Sequence, residues 1–163
     1  SEYSIPAQQK FDVRIKCPGL PENFPAYKLG IGLISDRGYL NFLGGTYIDG
    51  WVEARARNFG KFVMVVDSVA PVIKPLDFNE GKTITKYKTL ELEIKDNLAG
   101  VMEYKAYLNG EWVLMNYARR KRRYIIPLDQ HSKPLLKKGN NTVKIIAKDG
   151  KGNQSEKSYT LIY

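Results

Sequence analysis

Cysteine and histidine are scarce in this sequence of 163 residues, which contains one of each, Cys17 and His131. A single cysteine excludes a disulfide within the chain. Hydrolytic zinc sites usually take two or three histidines with a carboxylate, so one histidine argues against a zinc site built by this chain alone. A Cys17–His131 dyad is the remaining nucleophile–base pair. Because Cys17 continues the apolar face of a predicted strand, its position indicates a buried structural thiol instead.

Sequence motifs of catalysis are also absent. The chain has no Gly-x-Ser-x-Gly elbow, no phosphate-binding loop and no dinucleotide fingerprint. Its 17 acidic residues leave a paired-carboxylate glycosidase open, although the chain is short for that chemistry. We therefore expect a chain that is not an enzyme, with no catalytic residue, no cofactor and no tightly bound metal.

Long apolar runs are missing as well. No stretch approaches the roughly 18 consecutive apolar residues of a membrane-spanning helix, so we expect no membrane span in this chain. No signal peptide opens the sequence, and Ser1 in place of methionine is the start expected of a processed or truncated product. The shortage of cysteine leaves an extracytoplasmic location open, because many bacterial envelope proteins have no disulfides.

Positive charge is abundant but concentrated. The formal net charge is +9, and residues 70–163 supply +8 of it, with 18 basic and 10 acidic residues. Five of the basic residues form one uninterrupted run: Arg119, Arg120, Lys121, Arg122 and Arg123. A positive electrostatic field that depends on one run of residues is local. It favours a solvent-exposed hairpin tip over a nucleic-acid-binding surface. Tyr117 and Tyr124 flank the run and keep nucleic-acid binding open as an alternative.

Alternation of apolar and polar residues replaces any helical period. No segment of ten or more residues keeps a helical pattern, whereas FDVRIKC (11–17) and LELEIK (90–95) alternate as half-buried strands do. Predicted strands recur every 8–12 residues, which is typical of sandwiches. The predicted fold class is all-β, with two small β-sandwich modules in tandem, the second immunoglobulin-like.

Turn and proline signals divide the chain. The short extended stretch DSVAPVIKP (67–75) marks a junction, so we place an N-terminal β-sandwich module at 1–68 and an immunoglobulin-like β-sandwich at 69–163. Turn residues also mark two further hairpins. Residues 58–60 (NFG) would join the strands before and after them, and Asn109–Gly110 is the pair that a type I′ turn prefers.

Three aspartates occupy predicted loops. Asp96 and Asp149 fall in loops at one end of a Greek-key sandwich, where the linker carrying Asp67 would arrive, so we expect their carboxylates to converge. Oxygen clusters of this kind suit calcium, which makes Asp67, Asp96 and Asp149 the metal candidates. The dense Asp-x-Asp-x-Asp spacing of a calcium loop is missing, and we favour carboxylates that cap turns.

The same loops belong to a family resemblance. The stretches APVI, LEIKDNLAGV, YLNGEWV and NTVKIIAKDGKGN resemble a bacterial immunoglobulin-like domain. Upstream, LGGTYIDGWVEARARNFGKFVMVVDSVAPVI resembles the region that follows the catalytic domain in certain Gram-negative lysostaphin-type zinc metallopeptidases, which cut peptidoglycan cross-links. The matched residues are Gly44, Gly45, Tyr47, Gly50, Trp51, Val52, Arg57, Phe59, Gly60, Asp67, Pro71 and Ile73.

This resemblance implies a non-catalytic accessory module of a periplasmic or cell-envelope protein. Its implied partner is the catalytic domain of a murein peptidase in the same protein, or peptidoglycan itself. The His-x-x-x-Asp and His-x-His zinc motifs of those peptidases do not occur here, so no residue of this chain takes over their metal-binding role. The basic run at 119–123 also departs from the family pattern.

Two alternatives remain. The first is a glycan-binding module that stacks sugars on an exposed aromatic ring, with Trp51 and Trp112 as candidates, although their strand positions favour the core. The second is a nucleic-acid binder that uses the run 119–123. For either alternative, that run is a possible ligand surface.

Overall fold

The computed structural model describes residues 5–163, which form two compact units. The N-terminal unit extends to Val69 and includes Gly150–Gly152, and the C-terminal unit comprises Ala70–Asp149 and Asn153–Tyr163. Each unit contains two β-sheets, so the predicted all-β class of sandwich modules is confirmed.

Antiparallel strands build the N-terminal unit. They are β1 (Ile5–Lys16), β2 (Leu29–Ile34), β3 (Leu40–Phe42), β4 (Thr46–Ile48), β5 (Trp51–Phe59) and β6 (Lys61–Val66). The sheets have the orders β1–β5–β4 and β3–β2–β6, and a 3-10 helix at Ala26–Lys28 leads into β2. The core of this unit contains Cys17, Leu29, Ile31 and Val52. As predicted, the thiol of Cys17 is buried and unpaired.

One turn prediction in this unit needs correction. Strands β5 and β6 do not pair, because β5 lies between β1 and β4 while β6 pairs with β2. Residues 58–60 therefore carry the chain from one sheet to the other, and the predicted hairpin there is wrong. The hairpin lies earlier, where Asp49 (φ 47°) and Gly50 (φ 81°) connect β4 to β5 in the left-handed conformation that a type I′ turn requires.

Lys151 is buried in the N-terminal unit. Its ammonium group donates hydrogen bonds to the carbonyl oxygens of Leu29 (2.5 Å) and Gly45 (2.6 Å) and lies 5.7 Å from the centre of the Phe42 ring. Carbonyl dipoles and a ring face thus take the place of water around this cation.

The C-terminal unit contains a larger set of strands. They are β7 (Val72–Pro75), β8 (Lys82–Thr83), β9 (Thr89–Lys95), β10 (Val101–Leu108), β11 (Glu111–Val113), β12 (Asn116–Ala118), β13 (Arg123–Pro127), β14 (Asn140–Asp149) and β15 (Gln154–Ile162). The sheet orders are β12–β13–β9–β7 and β11–β10–β14–β15–β8. A 3-10 helix at Lys133–Leu135 precedes β14.

These sheet orders are those of an immunoglobulin-like sandwich. Strands β7, β9, β13 and β12 occupy the places of A, B, E and D, and β10, β14 and β15 occupy the places of C, F and G. The short β8 pairs in parallel with β15 and extends that sheet. The predicted immunoglobulin-like order of the second module is therefore confirmed.

The stretch 111–117 is divided between the two sheets. Its first residues form β11, which pairs with β10, and its last residues form β12, which pairs with β13. Val113 and Met115 are buried and Leu114 between them is exposed, and here the chain passes from one sheet to the other. This crossing places the hairpin of β12 and β13 in the smaller sheet.

Aliphatic side chains fill the core of the C-terminal unit. The predicted inward residues Leu90, Leu92 and Ile94 are buried, as are Val143 and Ile145 on the facing sheet. Of the helical segments in the described residues, none has the length and hydrophobicity that crossing a membrane requires.

Candidate functional site

The basic run forms the tip of the β12–β13 hairpin, as predicted. Tyr117 pairs with Tyr124 and Ala118 with Arg123 across the two strands. The turn is closed by the N–H of Lys121, which donates to the carbonyl of Ala118 (3.0 Å), and by that of Arg122, which donates to Arg119 (3.3 Å). All five basic side chains are exposed.

A pocket of about 420 Å³ opens beside this tip. Its lining is Leu76, Glu93, Ile94, Lys95, Tyr117, Lys121, Arg122 and Arg123. Within the lining, the ammonium of Lys95 lies 2.8 Å from Glu93. The guanidinium of Arg123 lies 2.6 Å from the carboxylate of Glu91, which is largely buried. The carboxylates of Glu93 and Glu91 are thus both paired with basic side chains.

A second pocket of about 340 Å³ lies elsewhere in the C-terminal unit. Its lining is Trp112, Val113, Leu114, Pro127, Asp129, His131 and Ser132. Trp112 is 60% exposed and Leu114 is 51% exposed, so an apolar surface is open to solvent here. Trp112 is therefore not a core residue, contrary to what its strand position favours.

A hydrogen-bonded polar turn also lines the Trp112 pocket. The Oδ1 atom of Asp129 accepts the N–H groups of His131 (2.9 Å) and Ser132 (3.3 Å). The buried hydroxyl of Ser132 donates to the carbonyl of Pro127 (2.7 Å) and accepts the N–H of Asp129 (2.9 Å). The N–H of His131 holds the pKa of the Asp129 carboxyl below its ordinary value, so Asp129 is ionised at neutral pH.

Trp51, the other tryptophan candidate, has a different environment. It begins β5, pairs with Lys16 and is only partly exposed. The guanidinium of Arg14 lies 5.3 Å from the centre of its ring, at a distance typical of a cation–π contact. Because Arg14 covers part of this ring, Trp51 offers less free surface than Trp112.

The aspartates named as metal candidates cap turns. The Oδ2 atom of Asp96 accepts the N–H groups of Leu98 (2.9 Å) and Gly100 (2.8 Å). Asp149 accepts the backbone N–H of Asn153 (2.9 Å) and its side-chain amide (2.7 Å). These bonds fit the turn-capping role that we favoured.

Oxygen atoms of the Asp96 and Asp149 carboxylates also lie within 4.8 Å of each other. Asp67 belongs to the N-terminal unit, where its Oδ1 accepts the N–H of Val69 (3.3 Å). The expected approach of Asp67 to the other two aspartates stays a prediction, as does the absence of calcium.

Sequence reasoning missed most of the lining of the Trp112 pocket and about half of the lining of the pocket beside the basic tip. It named Trp112, the basic run and Tyr117, but did not name Asp129 or Lys95 as parts of a site, and it considered His131 only as a partner of Cys17. The stretch LDQHS does contain a signal, because an aspartate followed by serine three residues later is typical of a side-chain-capped turn. That signal predicts the turn and not its position beside a tryptophan, which depends on the crossing between sheets.

Comparison with known proteins gives a partial match. Residues 1–67 match the Zu5-like domain family. No curated protein matches the chain significantly. Among solved structures, the chain is similar to fibronectin(III)-like modules of Clostridium thermocellum CbhA, with 10% identity, 97% of this chain and 87% of that chain covered, and a TM-score of 0.42.

Two expansin structures from Clavibacter michiganensis are also similar. The apo form shares 14% identity over 90% of this chain and 74% of that chain, with a TM-score of 0.34. A point mutant in complex with cellohexaose shares 15% identity over 94% of this chain and 77% of that chain, also with a TM-score of 0.34. Since these TM-scores lie below 0.5, the assignment of the fold rests on the strand order described above.

Proposed function

We propose that this chain is a non-catalytic accessory and binding module of a bacterial cell-envelope protein, attached to or related to a peptidoglycan endopeptidase. The proposal includes a periplasmic or cell-envelope location. Its partners are peptidoglycan and the catalytic domain of such a peptidase. No residue of the chain takes a catalytic role in this proposal.

The proposal rests on where the structure places Gly45 and Gly50, two of the glycines in the stretch that resembles the peptidases. Gly45 has φ 135°, and a Cβ there would lie 3.1 Å from the carbonyl oxygen of Glu53 and 3.2 Å from the Cα of Gly30. Gly50 completes the β4–β5 turn. The close approach of backbones favours glycine at position 45, and the left-handed φ of 81° favours it at position 50, which supports a shared fold in this region.

Incubation with purified peptidoglycan sacculi tests this proposal. We expect the chain to sediment with the sacculi and to release no soluble muropeptides, as measured by chromatography of the supernatant. Release of muropeptides by the chain alone would overturn the non-catalytic assignment. Failure to sediment would overturn its role in binding peptidoglycan.

The Trp112 pocket favours glycan binding as the finer form of this function. The exposed indole face suits the C–H face of a pyranose ring, and apolar Leu114 extends that surface. The ionised carboxylate of Asp129 lies in the same pocket and is a strong acceptor for sugar hydroxyl groups. An aromatic platform with a few fixed polar groups is the usual composition of a small-ligand site.

Tryptophan fluorescence tests the pocket directly, because the chain has 2 tryptophans. In the Trp51→Phe variant, Trp112 is the sole tryptophan, and titration with chitotetraose should produce a saturable shift of its emission to shorter wavelength. The matched Trp112→Phe variant, which reports only on Trp51, should show no saturable change. A response from Trp51 alone, or none from Trp112, would place glycan binding elsewhere or exclude it.

A further inference from the structure

The pocket beside the basic hairpin tip has a surplus of positive charge that the protein does not compensate. Lys95 pairs with Glu93, and Arg123 pairs with Glu91. Lys121 and Arg122 line the same pocket, and neither forms a salt bridge with an acidic group within residues 5–163. Lys121 and Arg122 thus line the pocket without an acidic partner among the described residues.

The backbone at Arg122 gives a second, independent sign. Arg122 has φ 52°, a left-handed conformation that is unfavourable for a residue with a Cβ. Glycine, asparagine or aspartate is the usual residue in this conformation, as at Asp49 and Asn109 in the other two-residue turns. A strained residue held in place is reason to seek a function for its side chain.

Tyr117 supplies the third element of the pocket. Tyr117 is 45% exposed, and the centre of its ring lies 4.8 Å from that of the buried Tyr124, against which it packs. A phenol beside an ammonium and a guanidinium adds a neutral hydrogen-bond donor and a ring edge. Leu76 and Ile94 complete the lining with apolar surface.

We propose that this pocket, lined by Tyr117, Lys121 and Arg122, binds the phosphate group of a phosphorylated saccharide. The planar guanidinium of Arg122 can bind two phosphate oxygens at once, and the ammonium of Lys121 adds a second charge. The tyrosine ring and the apolar lining then contact the attached sugar. The site is separate from the Trp112 pocket and goes beyond the function proposed above.

Two features favour a discrete phosphate over a nucleic-acid backbone. The two charges that would bind the phosphate, those of Lys121 and Arg122, line one pocket, whereas residues 1–69 contain 8 basic and 7 acidic residues and add almost no net positive charge. Nucleic-acid binding requires several phosphate contacts along an extended basic surface. A cavity of about 420 Å³ instead matches one small ligand.

Calorimetric titration with glucose 6-phosphate tests the proposal, with glucose as the uncharged comparison. The parent chain should bind the phosphorylated sugar and not glucose. A Lys121→Ser, Arg122→Gly double variant should weaken binding by at least about tenfold, since it removes both charged hydrogen-bond donors to the phosphate. Glycine at 122 tolerates the left-handed backbone, so the hairpin should persist.

The matched control is the Arg119→Ser, Arg120→Ser double variant. It removes the same charge from the same hairpin, but neither residue lines the pocket. Binding should therefore fall less than about threefold, through the loss of long-range attraction alone. An equal loss in both double variants would show general charge attraction and overturn the site.

A third arm uses a single-stranded DNA oligonucleotide of thirty bases. Binding of this oligonucleotide in preference to glucose 6-phosphate, with equal sensitivity to both double variants, would assign the tip to nucleic acid and overturn the proposal. No binding of the sugar phosphate at 10 mM would overturn it as well. Because Trp112 is unchanged in every variant, these results are independent of the chitotetraose titration.

Discussion

Two hairpins of the C-terminal unit place residues in the left-handed conformation, but they hold them differently. In the β10–β11 turn, Asn109 (φ 51°) donates its amide to Leu135 and to Asn141, and its Oδ1 accepts the N–H of Thr142. In the β12–β13 turn, Arg122 (φ 52°) is exposed, and backbone bonds alone close the turn. The same backbone conformation thus occurs once inside a network and once at a free tip.

This difference indicates that the β10–β11 turn stabilises the folded unit, whereas the tip of the β12–β13 hairpin is available for binding. Asn141 is fully buried, and its amide also bonds the carbonyls of Lys137 and Gly139, so the first turn is tied to the chain before β14. In the second hairpin, residues 119–122 form no side-chain hydrogen bond to another strand among the described residues, and only Arg123, at the start of β13, is paired, with Glu91. Substitutions should therefore cost stability in the first hairpin and ligand affinity in the second.

Replacement of Asn109 by alanine should have the largest effect on stability. It removes three side-chain hydrogen bonds, leaves the buried Asn141 short of one donor and places alanine at positive φ. We expect a loss of about 2–4 kcal/mol in the free energy of unfolding. Urea denaturation followed by Trp112 emission in a Trp51→Phe background measures this loss for the C-terminal unit.

Asn109→Gly is the control that separates the two causes. Glycine removes the same hydrogen bonds but accepts the left-handed backbone. It should recover about 1 kcal/mol relative to alanine, the part that is due to φ. If both variants unfold at the same urea concentration as the parent chain, the amide network has no structural role and the comparison between the hairpins fails.

Replacement of Gly110 by valine should have the next largest effect. Gly110 has φ 91°, and a β-branched residue resists that conformation, although no atom lies within 4 Å of the position of a Cβ. The expected loss is about 2 kcal/mol, from backbone strain alone. Gly110→Asn, with a residue that tolerates the left-handed region, should lose less, and the order of the two urea midpoints checks this.

Alkaline pH acts on the base of the second hairpin. Burial, with smaller contributions from Tyr117 and Tyr104, raises the pKa of Tyr124 from 10.0 to about 12. The folded chain thus keeps a proton that the unfolded chain releases, so stability is complete below pH 10 and is lost as the pH rises from 10 to 12.

Tyr124→Phe should remove this contribution. Its unfolding midpoint should fall less steeply between pH 10 and 12 than that of the parent chain, although phenylalanine changes the packing at every pH. Equal slopes would mean that Tyr124 ionises as readily in the folded as in the unfolded chain. The hairpin would then be loosely packed at its base as well as at its tip.

Local signals predicted much of this structure. The Asn109–Gly110 turn and the buried Leu90, Leu92 and Ile94 follow from residue types and from alternation, which depend on neighbours in sequence. The hairpin at Asp49–Gly50 carries the same kind of signal, and it was missed because the stretch around it reads as one continuous alternating strand.

Features that depend on distant contacts could not be predicted. Whether residues 58–60 turn back or cross to another sheet depends on which strand β6 finds, and that strand is β2. Lys151 occurs in a glycine-flanked turn that indicates exposure, yet carbonyls more than 100 residues away hold its ammonium group. The exposure of Trp112 depends likewise on where the chain leaves β11 for the other sheet.

The smallest effect on stability is expected at the hairpin tip. Arg119 and Arg120 are exposed, and neither forms a salt bridge with an acidic group in the described part of the chain. The Arg119 carbonyl that accepts the N–H of Arg122 is a backbone group, so it survives substitution. Arg119→Ser together with Arg120→Ser should therefore change the free energy of unfolding by no more than about 0.5 kcal/mol.

Arg123→Ser, which breaks the ion pair with Glu91, should cost up to about 1 kcal/mol. Urea denaturation of these variants beside Asn109→Ala places both hairpins on one scale. A loss of several kcal/mol at Arg119 and Arg120 would show that the tip is part of the packed structure, and its exposed charges would then no longer mark it as a surface for ligands.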